Sequence, residues 1–272
     1  MPKPSIAVNA NWVIDEFMSG RGIADICREI GVDRAILYKQ LISYGVDITA
    51  IREKRLDAFV NQDYFSDIDI EQKAYWLGFL MADGCIYSPT RGQKRLQVQL
   101  ADKDSEHLRR LAGSLRFKGK IHNNSCKANG YRPQSALFVT SDKLCSGLIK
   151  NGCTERKSLT LRFPKHVRRD LWGHLVRGYF DGNGSAEIRR SGVSRPTLRL
   201  TIVGASEFIA SVNEIFREEL GITASVIHNP RGKRCSALAS NGNIKSRLIR
   251  DWMYKDGTVF LPRKMEVCYS CL

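Results

Sequence analysis

Asp83 and Asn183 close two copies of one short phrase, Trp76-Leu77-Gly78-Phe79-Leu80-Met81-Ala82-Asp83-Gly84 and Val176-Arg177-Gly178-Tyr179-Phe180-Asp181-Gly182-Asn183-Gly184, set 100 residues apart. Each copy is an apolar run with small residues four apart, Gly78 with Ala82 and Gly178 with Gly182, and each ends on glycine. Small side chains at i and i+4 share one helical face and let two helix backbones approach closely. Two such helices packed side by side would bring Asp83 and Asn183 together at one end. A carboxylate there faces the negative end of the helix dipole, and a pair of acids is mutually unfavourable unless a cation intervenes. Mg²⁺, or Mn²⁺ in its place, meets that demand and also draws in phosphate oxygens and water.

The second copy carries an amide where the first carries an acid. Asn183 can still offer an oxygen to a cation, but without charge and without the capacity to act as a base. Asp181 is no substitute by register, because it aligns with Met81, two residues and roughly 200° around a helix from the required position. The competing reading of Asp83 is a polar turn residue ahead of a C-cap glycine.

The elements that must position these side chains also repeat. After the first phrase the pattern predicts a strand to Tyr87, a turn, a strand over Arg95–Ala101 with alternating Leu96, Val98 and Leu100, and a helix near Ser105–Leu115. A hairpin over Phe117–Ile121 and Ser135–Thr140 and a helix over Asp142–Asn151 complete the unit. The second phrase opens the same order: strands Ser185–Arg190 and Thr197–Val203, a helix Ser206–Leu220, strands Thr223–His228 and Arg234–Ala239, and a helix Ile244–Tyr254. The expected class is therefore α+β, with two αββαββα units over residues 71–170 and 171–272.

Ahead of them, residues 8–48 read as three short helices with helix-turn-helix spacing. Cys27 permits a close crossing, Gly31 supplies the turn, Asp33 caps the next helix, and Leu37 and Leu41 face inward. Arg34, Ala35, Tyr38 and Lys39 are left outward, suited to DNA; the plain alternative is a three-helix knot that binds no nucleic acid. Residues 49–70 read as a charged linker with one or two helical turns.

Forty-three Lys and Arg against 28 Asp and Glu leave a net charge of +15, which suits a polyanionic partner, nucleic acid first. The opening residues Met1–Ala7 lack a signal-type apolar segment and no apolar run approaches roughly 18 residues, so the expectation is a cytoplasmic, nucleoid-associated protein with no membrane partner. Eight cysteines stand singly except for Cys268 and Cys271, and read as reduced thiols.

The doubled phrase, with its lead-in Glu71-Gln72-Lys73-Ala74-Tyr75 and its tandem spacing, resembles the single-chain LAGLIDADG homing endonucleases, over about Glu71 to the C-terminus. The resemblance implies that the two motif helices form the interface between pseudo-symmetric halves. It implies Mg²⁺ held at Asp83 and Asn183 with the preceding Ala82 and Gly182, and paired sheets lying in the major groove of double-stranded DNA. A repeated Arg-Lys element follows each unit, Glu155-Arg156-Lys157-Ser158 and Pro262-Arg263-Lys264-Met265. By the same resemblance, Lys157 and Lys264 stand near the metals, where an ammonium could stabilise the scissile phosphate or orient water. Gln99, whose repeat counterpart by sequence is Thr201, is expected in the same region.

Base and phosphate contacts fall to the hairpins. The turns carry Arg91, Lys94 and Arg95, then Arg189, Arg190 and Arg195, then Arg231, Lys233 and Arg234, while Gln97, Gln99 and Arg199 alternate with apolar strand positions. Gln and Arg can make bidentate contacts to base edges, and phosphate contacts make binding salt-dependent. The expected function is a monomeric, site-specific DNA endonuclease without a small-molecule substrate, slow or nicking because of Asn183. A non-catalytic DNA-binding regulator on the same fold is the alternative, and an RNA maturase role stays open.

Overall fold

The computed structural model describes residues 8–88, 92–124, 133–190, 195–228 and 235–270. The chain divides into two compact units, Met1–Asn61 and Gln62–Leu272. No helix among the described residues is long and apolar enough to cross a membrane.

The first unit holds four helices, α1 (Ala10–Met18), α2 (Ile23–Ile30), α3 (Arg34–Ser43) and α4 (Ile48–Phe59). Val13, Ile26, Leu37 and Leu41 form its core. Gly31 ends α2 in the left-handed region at φ 66°, and Asp33 caps α3 by accepting from Ala35 N. Arg34, Ala35 and Lys39 are exposed. Tyr38 departs from expectation: it is half-buried, and its hydroxyl accepts a hydrogen bond from Arg52 at 2.7 Å.

Helix α4 occupies the first half of the segment read as linker, where Asp47 caps it through Thr49 N and Ala50 N. The helix buries no residue fully, though Ile48 packs against the core. Arginine stems add to its contacts: Arg55 lies 4.0 Å over the Phe17 ring and donates to Gly20 O at 2.7 Å. Charged residues dominate its sequence, so its apolar pattern is weak.

The second unit is built twice. Its first half runs α5 (Glu71–Asp83), β1 (Gly84–Tyr87), β2 (Arg95–Ala101), α6 (Ser105–Ser114), β3 (His122–Asn124), β4 (Gln134–Thr140) and α7 (Asp142–Lys150). The second half runs α8 (Trp172–Asn183), β5 (Gly184–Arg189), β6 (Thr197–Ala205), α9 (Ser206–Leu220), β7 (Ser225–His228), β8 (Cys235–Asn241) and α10 (Asn243–Tyr254), followed by α11 (Pro262–Tyr269). Each half carries a four-stranded antiparallel sheet, in the orders β1-β2-β4-β3 and β5-β6-β8-β7. The strand expected over Phe117–Ile121 starts later, at His122. Arg116 sits at φ 50° and Phe117 N bonds back to Ala112 O, so the chain is still closing α6 at that point.

Helices α5 and α8 pack with their backbones nearly in contact. A Cβ on Gly78 would fall against the Leu175 carbonyl, 2.8 Å from its carbon, and a Cβ on Gly178 would meet the Tyr75 carbonyl at the same distance. The terminal glycines serve a different need. Gly84 and Gly184 have extended backbones, φ −76° and −106°, and a Cβ on either would stand 2.6 Å from the Leu80 or Phe180 carbonyl oxygen. Each motif helix thus runs straight into a strand. Side chains cover the flanks of this seam: Trp76, Phe79, Tyr179 and Phe180 are buried under the sheets.

Gly178→Ala should destabilise the protein by about 3 kcal/mol or more, the upper end for an added core methyl, because the obstacle is backbone that cannot rotate away. Urea melts would check this, and a loss under about 1 kcal/mol would mean that the helices can separate cheaply.

Candidate functional site

The ends of α5 and α8 meet. A Cβ on Gly182 would lie 3.3 Å from Asp83 Oδ2, so the Asp83 carboxylate rests against the backbone of the opposite helix, beside Ala82. Asp83 is half-buried and has no hydrogen-bond partner among the described residues. Burial raises its pKa, and the positive charges of Lys264 and Lys157 pull against that rise.

Asn183 is exposed, and its neighbour fixes its orientation. Tyr179 donates its only hydroxyl proton to Val203 O at 3.1 Å, so the same oxygen can only accept from Asn183 Nδ2, at 3.4 Å. Among the described residues Asn183 Oδ1 makes no hydrogen bond, and this neutral oxygen is the atom left for a cation.

Lys157 and Lys264 are both buried, and both grip motif ends. Lys157 donates to Gly84 O. The turn that aims it runs through Arg156, held in the left-handed region at φ 51°. Lys264 donates to Phe180 O at 2.8 Å, Asp181 O at 2.7 Å and Gly184 O at 2.6 Å. An ammonium has three N–H donors, so Lys264 is saturated by helix-end carbonyls, whereas Lys157 keeps two. Burial lowers the Lys264 pKa to about 8 despite the pull of Asp181.

Gln99 lies on the outward face of β2 beside the motif end and donates to Gln134. Its counterpart is not Thr201. Gly84 pairs with Val98 and Gly184 with Ile202, so the 100-residue offset of the motifs becomes 104 on the second strand. The longer β5–β6 hairpin shifts Gln99 onto Val203 and Gln97 onto Thr201. Arg95 and Arg199 are equivalent by this register; Arg95 donates to Thr140 Oγ1 and Tyr87 OH. Gln97 is half-buried and Lys94 flanks the strand, while Arg189, Arg190 and Arg195 are exposed at the second half's hairpin. Arg91, Arg231, Lys233 and Arg234 lie outside the described residues.

Asp181 belongs to the interior. It is buried, and its Oδ2 accepts from Tyr75 OH and from Leu261 N, both at 2.7 Å. Burial pushes its pKa up to about 6 against those two bonds. Since the Tyr75 proton goes to Asp181, His107 Nε2–H donates to the Tyr75 oxygen at 2.8 Å, leaving His107 Nδ1 buried and without a partner among the described residues. A second buried link joins Arg177 to Glu71, with Arg177 also donating to Val259 O at 2.9 Å and Met253 O at 2.6 Å. Arg263 forms a two-pronged pair with Asp104, 2.9 Å on each prong.

Sequence reasoning missed these links, though a signal was present. Glu71 and Tyr75 align with Leu171 and Leu175, while Arg177 and Asp181 align with Leu77 and Met81. Polar residues found in only one copy of a repeat are candidates to pair across it.

Among the described residues no three His, Cys, Asp or Glu side chains gather as a metal cluster. The donors at the motif ends still fit a hard divalent cation. One motif helix ends on an unpaired carboxylate and the helix packed against it ends on a free amide oxygen, and Mg²⁺ commonly takes one or two protein oxygens plus water and phosphate.

No family model matches this sequence, and no curated protein matches it. Solved structures do. The meganuclease I-SmaMI bound to uncleavable DNA matches over 74% of this chain and 88% of its own, at 12% identity and a TM-score of 0.50. The LAGLIDADG homing endonuclease I-LtrWI bound to target DNA matches over 76% and 89%, at 11% identity and 0.47. The I-SmaMI match shows the fold: the architecture is LAGLIDADG-like, two four-stranded antiparallel sheets on paired motif helices, accompanied by the N-terminal helices α1–α4.

Burial lowers the His107 pKa from 6.5 to about 4, with Arg110 and Arg263 lowering it and Asp104 raising it. The unfolded chain takes up this proton below about pH 6.5 and the folded chain only below about pH 4, so stability from His107 is present above that window and lost as pH falls through it. The linked free energy is roughly 3 kcal/mol. The stability gap between the unaltered protein and His107→Gln should therefore narrow by that amount from pH 7 to pH 4. Paired urea melts would read it, and a gap independent of pH would contradict the buried neutral imidazole.

Proposed function

We propose that this chain is a metal-dependent endonuclease that binds a long double-stranded DNA site as a monomer and hydrolyses its phosphodiester backbone with unequal action on the two strands. The observation that carries the reading is the unpaired, half-buried Asp83 carboxylate set against Gly182 where the two motif helices end. A divalent cation bound there would supply charge to the scissile phosphate and acidify water.

The chain's own residues contribute unequally. In the first half Asp83 offers charge to the cation, Lys157 holds the Gly84 carbonyl with two N–H donors to spare, and Gln99 presents an amide beside the motif end. In the second half Asn183 offers only a neutral oxygen, Lys264 has no free donor, and Val203 stands where Gln99 stands in the first. Arg34 and Lys39 on α3, Lys94, Arg95 and Gln97, and Arg189, Arg190, Arg195 and Arg199 serve binding, largely through phosphates, so affinity should fall steeply with salt.

The saturated Lys264 and the amide at 183 also favour a second reading, a sequence-specific DNA-binding regulator that does not cut. Duplexes selected from a random pool, labelled on each strand separately and incubated with Mg²⁺ or Mn²⁺, decide between them. The expected result is faster cutting of one strand, loss of all cutting in Asp83→Asn with binding retained, and a gain of at least about tenfold on the slow strand in Asn183→Asp, for about 1.4 kcal/mol of barrier. Specific binding with no cut in either metal would favour the regulator; equal, fast cutting of both strands would remove the asymmetry.

A further inference from the structure

The Arg-Lys elements after the two halves set equivalent lysines under equivalent carbonyls, Lys157 at Gly84 O and Lys264 at Gly184 O, yet the arginines beside them differ in their partners. Arg263 is held by Asp104, which accepts from its Nε and its Nη2 at 2.9 Å each. Arg156 is exposed and makes no hydrogen bond or ion pair among the described residues. Strand register sets Ala101 against Ala205, and α6 and α9 begin on Ser105 and Ser206, so the 3₁₀ turn Asp102–Asp104 has no counterpart in the second half, where β6 runs directly into α9. The holding acid is supplied once.

The Asp104 side chain is 10% exposed and that of Arg263 46%, so the pair is rooted on its acid and opens to water on its base. A guanidinium carries five N–H donors in one plane, and Asp104 takes two of them. Among the described residues three remain free, two on Nη1 and one on Nη2, and that edge has the two-pronged geometry that suits a phosphate. Lys264 cannot do the same, because its three donors go to Phe180 O, Asp181 O and Gly184 O. Arg263 also stands within electrostatic range of the motif ends: pairing with Asp104 raises its pKa and Asp83 adds to the rise, while Arg263 joins Lys264 and Lys157 in opposing the burial that raises the pKa of Asp83.

We propose that Arg263, aimed by Asp104 across the seam, is the second half's catalytic cation, donating from its free Nη1–Nη2 edge to the nonbridging oxygens of the scissile phosphate on the strand served by that half. The proposal rests on the nuclease reading above and adds to it the cation that Lys264 cannot supply. Each half then brings one cation with N–H donors to spare, Lys157 in the first and Arg263 in the second. Asp104 is a positioning residue lent by the first half to the second. By holding Nε and Nη2 it fixes the guanidinium in advance, so less rotamer freedom is lost when the phosphate binds.

The experiment is single-turnover cutting of the selected duplex in Mg²⁺, with each strand labelled and protein in saturating excess so that differences in affinity drop out. Arg263→Ala should slow the more slowly cut strand about a hundredfold, the loss typical of one removed charge-stabilising donor, and leave the other strand largely unchanged. Asp104→Asn keeps the shape but not the charge that holds Arg263, and should slow the same strand about tenfold. The double variant Asp104→Asn/Arg263→Ala should be no slower than Arg263→Ala alone, because the acid acts through the base. The second strand, cut by the same molecules, is the measure of folding: a role confined to holding the seam would slow both strands alike. An unchanged ratio of the two strand rates in either single variant, or a loss confined to the fast strand, overturns the proposal while the nuclease reading stands. Faster cutting of the slow strand by Asp104→Asn would mean that the acid withholds Arg263 from the phosphate, and overturns it too. No cutting by the unaltered protein removes the nuclease reading, and this proposal with it.

Discussion

Backbone contact between α5 and α8 is the constraint from which the second unit follows. With Gly78 and Gly178 removing every side-chain atom from the crossing, little remains there to set orientation or to resist sliding. Specific adhesion has moved to the flanks. Glu71 meets Arg177 at one end, Tyr75 meets Asp181 in the middle, and Asp104 meets Arg263 beside the motif ends. Buried charge of this kind is costly to desolvate, and an apolar seam of the same shape would be at least as stable. What the polar links add is register: only one alignment of the two helices satisfies Glu71, Arg177 and Asp181 together.

The same links explain why a duplicated architecture is not a symmetric one. A pair that must meet across a two-fold seam can be supplied once from each side or divided between the sides, and here it is divided. Glu71 and Tyr75 come from the first motif, Arg177 and Asp181 from the second. Once the seam is divided in this way the halves can diverge elsewhere without losing alignment. Lys264 has become a full cap for the second motif's carbonyls, while Lys157 caps a single carbonyl of the first. Across the outward faces, Gln99 and Val203 hold equivalent places with opposite chemistry.

How much of this was legible in the sequence depended on whether an element declared itself by periodicity. The paired motifs, their close packing and the order αββαββα are short-range patterns, and the structure follows them. Three features were not visible. Helix α4 has only a weak apolar pattern, because charged residues dominate it and an arginine stem shares its contacts with Ile48. The β3 strand starts late, because a left-handed Arg116 spends two extra residues closing α6. The partner of Gln99 was misplaced by two residues, because equal spacing in sequence does not survive a hairpin that is longer in one half. Tyr38 failed for a related reason: a helix read alone leaves it outward, whereas it packs against the core and bonds to Arg52 of α4.

The amide at position 183 fits its surroundings better than the missing acid would. Tyr179 has one hydroxyl proton, and Val203 O takes it. The lone pairs left on that oxygen face residue 183, where an NH₂ group is a partner and a carboxylate is not. Gly204 is part of the same arrangement, since a Cβ there would stand 3.2 Å from the Tyr179 ring carbon that bears the hydroxyl. In the first half the residue equivalent to Tyr179 is Phe79, which imposes no such condition on Asp83. An aspartate at 183 would meet the Tyr179 oxygen without a proton between them, or would draw that proton away from Val203 O and leave the strand carbonyl short of a partner. Asn183, Tyr179 and Gly204 therefore form one unit, and an aspartate at 183 would bring back the charge that Asp83 carries alone only by disturbing the Tyr179–Val203 hydrogen bond.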